Sequence, residues 1–196
     1  MEDRMLNEKE SLALISQMIL NTKKNVRQNA GVPALLWGYA TILTSLAVYA
    51  GVVLLQQQWV MLGWLLIPIL GGVGMLWLSR REKPVMTKTY LDRVIKYIWL
   101  IMGLVCFGVS AAAFIYNIPI LFFVSLLMSA SITLTGCVAD YKVYVYFGIA
   151  GIILSFLCLV VRAPEQILVF AANFVVMMII PSHMLNAENR KNECKE

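Results

Sequence analysis

In a chain of 196 residues, 60% are hydrophobic and only 14% charged, against a soluble norm of about 45–50% apolar and about 25% charged. With a mean hydropathy of +0.77, that balance excludes a disordered chain, a coiled coil and a soluble globular enzyme. The net charge of +5 needs no nucleic acid, because topological bias and attraction to anionic lipid account for it.

The first thirty residues predict a cytoplasmic helix. Asn7 with Glu10 three positions on has the pattern of a capping box. Leu12, Ile15, Met18, Ile19, Thr22 and Val26 then recur at helical spacing. Residues 1–30 therefore read as an amphipathic helix on the membrane surface, ending near Asn29-Ala30-Gly31. A docking helix for a soluble partner is the alternative. The acidic residues Glu2, Asp3, Glu8 and Glu10 and the length of the following apolar run argue against a secretory signal. Pro33 suits the first turn of the next helix, where its missing N–H costs nothing.

Residues 31–185 form the expected transmembrane domain. A hydrocarbon core of about 30 Å takes roughly 20 helical residues to cross. The stretch Gln28–Ser79 carries no Asp, Glu, Lys or Arg and would reach roughly 78 Å as one helix. It must fold back, and Gln56-Gln57-Gln58 is its polar cluster. In the charge-free stretch Tyr97–Ala139 the matching break is Asn117-Ile118-Pro119. Two further charge-free stretches, Val143–Val161 and Gln166–Ala187, are each one span long. The spans are thus about 32–55, 59–78, 97–116, 120–138, 143–161 and 167–185. The fold class is all-α: a polytopic membrane protein of six transmembrane helices with an N-terminal interfacial helix. Continuous rather than alternating apolar runs exclude a barrel.

Within span two, Pro68 with Gly71, Gly72 and Gly74 either distorts the helix or is simply tolerated; toleration is favoured. In the cytoplasmic loop 79–96, Pro84 breaks the chain, and Tyr90, Leu91, Val94 and Ile95 predict that span three starts as a helix before the membrane. Residues 186–196 form a cytoplasmic tail. Fifteen of the sixteen basic residues fall on one side of this arrangement and only Arg162 on the other. Lys and Arg accumulate on the cytoplasmic side, which places both ends of the chain in the cytoplasm. Trp59, Trp77, Tyr97, Trp99, Tyr116, Tyr141 and Tyr144 sit at span ends as an interfacial belt, while Trp37 and Trp64 read as helix-packing residues.

No span contains an ionisable Asp, Glu, Lys or Arg, which argues against an ion-coupled pump or a voltage sensor. Small and hydroxyl residues form stripes instead. Span four has Ser125, Ser129 and Thr133, continued by Gly136 and Cys137. Span three has Gly103, Cys106, Ser110 and Ala113; span one has Gly38, Thr41 and Ser45; span five has Gly148 and Gly151. Close helix packing is the favoured reading of Thr41, Ser45, Ser125, Ser129 and Thr133, and a polar lining for a neutral solute is the other. Asn173, the most polar side chain inside a span, reads as interhelical glue before substrate contact.

His183 closes span six and is a candidate switch at the cytoplasmic face. A single histidine excludes multi-histidine metal sites, and Cys106, Cys137, Cys158 and Cys194 have neither metal spacing nor matching depths for a disulfide. Ser182, His183 and Asp140 can be drawn as a catalytic group, but no motif stands behind them. No catalytic, cofactor or metal residue is assigned.

At Leu134-Thr135-Gly136, Ile180–Asn186 and Ile15–Ile19 the chain resembles a group of small six-span bacterial inner-membrane proteins without assigned activity. The resemblance implies the six-span architecture and no chemistry. The expected function is a non-enzymatic structural or regulatory membrane component. Its expected partners are membrane lipids, a second copy, or another membrane or cytoplasmic protein. A small permease or permease subunit for an uncharged or amphipathic solute is the alternative.

Overall fold

A computed structural model describes residues 8–81, 90–113, 115–116 and 118–193. Among them every regular element is helical, and six helices are long and apolar enough to cross a membrane. They cover Gly31–Leu55, Trp59–Arg80, Tyr90–Ala113, Ile120–Ala139, Lys142–Val160 and Glu165–Arg190. The chain is thereby a multi-pass helical membrane protein. Asn7, residues 82–89, Asn117 and Cys194, on which the expected cap, most of the cytoplasmic loop, part of one turn and one thiol fall, lie outside the described residues.

Helix α1 (Glu8–Leu55) corrects the expected N-terminal boundary. The helix does not stop at Asn29-Ala30-Gly31, and Pro33 lies inside it, so residues 8–30 prolong span one. Gly31 ends a helix only by adopting a left-handed conformation, and no described glycine has positive φ. Its use is close approach instead, because a Cβ there would collide with the Asn186 side chain. The helix ends at the glutamines, where Gln56 turns left-handed at φ 49°.

The return begins as a 3₁₀ helix, Gln58–Leu65, and relaxes into α2 (Leu66–Arg81). Pro68 is therefore not merely tolerated. In a regular α-helix its ring would crowd the Trp64 carbonyl one turn back, and the chain ahead of it is wound as a 3₁₀ helix instead. Helix α3 (Tyr90–Ala113) begins at the tyrosine, as expected, and ends three residues short of Tyr116. Helix α4 (Ile120–Ala139) closes on Asp140, left-handed at φ 53°, with the Tyr141 N–H donating to the Gly136 carbonyl at 2.9 Å. The fifth span is α5 (Lys142–Ser155) and α6 (Leu157–Val160), interrupted at Phe156.

The sixth span joins α7 (Glu165–Phe174), a π-helical turn (Val175–Ile179) and α8 (Ile180–Glu193). Pro181 has no N–H to give the preceding turn, and the wider winding adjusts to that loss, with the Ile180 N–H donating to the Val175 carbonyl. Helix α8 also carries residues 186–193 of the expected tail as a continuous helix.

This last span is the centre of the bundle. Half of its most apolar stretch is buried, against 6% in the spans of α2 and α3. Helices α1, α4 and α5 surround it, and α1 and α5 do not touch each other. Helix α2 packs on α1, where the Trp37 ring lies over Gly71 and Leu36 over Gly74. Helix α3 packs mainly on α4, and α2 and α3 make no mutual contact.

Candidate functional site

The buried polar residues divide into an α4–α5–α7 cluster and a separate α1 group. Asn173 is 1% exposed. Its Nδ2 donates to Ser125 Oγ on α4 and, at 3.1 Å, to the Gly151 carbonyl on α5. One side chain thus ties three helices. Ser129 Oγ donates to the Ser125 carbonyl at 2.8 Å and lies 2.9 Å from Met177 Sδ in the π turn. Thr133 Oγ1 donates to the Ser129 carbonyl at 2.9 Å.

Glycines bring α4 and α5 together along this cluster. A Cβ on Gly151 would stand 2.7 Å from Ser129 Oγ, and one on Gly148 would stand 2.8 Å from the Thr133 backbone nitrogen. Gly136 receives Tyr144 and Val145 in the same way. Ser125, Ser129 and Gly136 are buried and Thr133 partly so, but Cys137 is exposed and does not continue the stripe. A step of four falls about 40° beyond a full turn of a 3.6-residue helix, which carries Cys137 off the packed face. On α3 likewise, Cys106 is buried while Gly103 faces open space.

The α1 group stands apart. Thr41 Oγ1 donates to the Trp37 carbonyl at 2.9 Å and Ser45 Oγ to the Thr41 carbonyl at 2.7 Å. Both hydroxyls are satisfied within their own helix, and no hydrogen bond joins them to Asn173. Thr44, absent from the sequence-based candidates, is also buried. Thr44 Oγ1 and Asn173 Oδ1 are the buried side-chain atoms left without a partner among the described residues. The helical spacing of 41, 44, 45 and 48 was the available signal for Thr44.

Two polar ties hold the first turn of α8. Tyr144 and Ser182 hydroxyls lie 2.9 Å apart in the interior. Tyr39 Oη and His183 Nε2 lie 2.8 Å apart on the exposed surface, their rings edge to face. Tyr144 and Tyr141 are buried, at 1% and 5% exposure, and so belong to the core rather than to an interfacial belt. The Ser182, His183 and Asp140 group is not assembled in the way the sequence allowed it to be drawn, since Ser182 pairs with Tyr144 and His183 with Tyr39. The packing roles expected of Trp37 and Trp64 are met: Trp64 stacks edge to face on Phe170 at 5.6 Å.

What fold and site together define is a polytopic helical membrane protein with an uncharged, hydrogen-bonded centre. Comparison with models of known protein families, with curated proteins and with solved structures finds no match.

Proposed function

We propose that the protein is a non-enzymatic structural or regulatory component of a bacterial inner membrane, with both ends of the chain in the cytoplasm. One observation carries this reading: the hydroxyls of the expected polar lining are spent on packing. Thr41, Ser45, Ser129 and Thr133 each bond a carbonyl of their own helix, and Gly148 and Gly151 close the α4–α5 interface over Thr133 and Ser129. Small faces of this kind let backbones approach where lipid removes the hydrophobic drive. The orientation rests on the fifteen-to-one distribution of basic residues. The likeness to the small six-span bacterial group rests on the segments named for it.

Such a component acts through what it touches. Extraction from native membranes in mild detergent should yield the chain in a complex of defined composition, with itself or with another protein. Reconstituted alone in vesicles, it should pass no neutral solute faster than protein-free controls. The permease reading has its own supporting observation in the unpartnered Asn173 Oδ1 and Thr44 Oγ1. Solute flux that Asn173→Ala abolishes would replace the first reading with that one.

A further inference from the structure

The outward faces of α1 and of α7–α8 meet along a seam that no other helix covers among the described residues. Helices α1 and α5 flank α7–α8 without packing on each other, and the side of α7–α8 between them is open among the described residues. Leu168, Ala172, Val175 and Ile180 are exposed there, and Leu43 and Leu46 are exposed on α1. The contact between Tyr39 and His183, both exposed, marks where the two faces join. Arg190 follows His183 by seven residues, hence on nearly the same stripe of α8 and about 10.5 Å further along the axis. It is exposed and has no ion pair among the described residues.

We propose that this seam binds one anionic phospholipid of the cytoplasmic leaflet. An acyl chain lies along Ala172, Val175 and Leu43, and the phosphate sits between His183 and Arg190. The chemistry of the pair selects such a headgroup. In the tautomer where Tyr39 Oη donates to Nε2, the ring carries its proton on Nδ1, and that N–H can donate to a phosphate oxygen. Arg190 supplies a guanidinium, the planar donor that suits phosphate best. The distance between the two positions is one that an arginine side chain and a phosphate together span. Apolar floor and cationic end match the two halves of a lipid, and a soluble anion would use only the second.

The proposal rests on the membrane orientation given under Proposed function, and the experiment separates the two. The full chain in mild detergent is titrated with phosphatidylglycerol and with phosphatidylcholine while its melting temperature is followed. Phosphatidylglycerol should raise the melting temperature more than phosphatidylcholine does. Arg190→Gln should weaken the phosphatidylglycerol response about fivefold, the usual worth of one cationic contact near an anionic surface. His183→Phe should reduce it similarly, whereas Arg80→Gln, at the exposed end of α2, should leave it intact. An unchanged response in Arg190→Gln, or an equal loss in Arg80→Gln, overturns the site. If the response behaves as expected but a cysteine at position 190 is labelled from outside intact cells, the orientation fails and the leaflet with it.

Discussion

Asn173 spends both amide hydrogens on neighbouring helices, on Ser125 and on the Gly151 carbonyl. Interhelical bonds of this type average about 0.6 kcal/mol and reach about 1.7 kcal/mol. Asn173→Ala breaks two of them, so detergent melting should show a loss of about 1–2 kcal/mol. Tyr144 and Ser182 give a cleaner pair. Tyr144→Phe and Ser182→Ala should each cost about 1 kcal/mol, and the double variant should cost little more than either alone. Fully additive losses in that cycle would show that the two hydroxyls do not interact. Asn173 was legible as a glue residue because an amide inside an apolar span must find partners. Tyr144 was not. It stands two residues from Lys142, where an aromatic usually marks the headgroup layer, yet it is buried with its hydroxyl against Ser182 of the sixth span. That partner belongs to another span and is invisible from the sequence neighbourhood of Tyr144.

At the level of whole helices, glycine separates packing from placement. Gly148 and Gly103 look alike in the sequence, each a small residue in a small-residue stripe. Their surroundings differ: a Cβ on Gly148 meets the Thr133 backbone at 2.8 Å, while Gly103 has open space. Gly148→Ala should therefore destabilise the bundle by roughly 1–3 kcal/mol, the usual cost of overpacking. Gly103→Ala, in the interior of α3, should gain up to about 1 kcal/mol from helix propensity alone. Melting of both variants in one detergent tests the contrast, and a neutral Gly148→Ala would mean that α4 and α5 do not approach closely at Thr133. Helix ends show the same limit on local signals. Gly31 followed by Pro33 has the pattern of a helix end, yet the glycine serves contact with Asn186 and the helix runs on. Pro68 and Pro181 do not end their helices either; the chain answers the first with 3₁₀ winding and accommodates the second with π winding.

For the molecule as a whole, span number and limits were readable because hydropathy and length are set by the bilayer. Five of the six spans begin within two residues of their expected starts, the exception being the third, whose helix reaches back to Tyr90. Which span is central was not readable, since all six are similarly apolar and lipid contact tolerates the same side chains as the core. Orientation is the global property that the charges do predict. Its test uses a background in which Cys106, Cys137, Cys158 and Cys194 are replaced, with single cysteines introduced as Gln57→Cys, Lys88→Cys and Arg190→Cys. A membrane-impermeant thiol reagent applied to intact cells should label position 57 and leave 88 and 190 protected until the cells are opened. The argument is energetic: translocating the cluster Arg80, Arg81, Lys83, Lys88, Arg93 and Lys96 is opposed, whereas the turn at Gln56-Gln57-Gln58 carries no charge across. Labelling of 88 and 190 from outside, with 57 protected, would invert the molecule. It would then place the Tyr39–His183 pair and Arg190 at the outer surface, where the fifteen-to-one charge distribution would need some other cause.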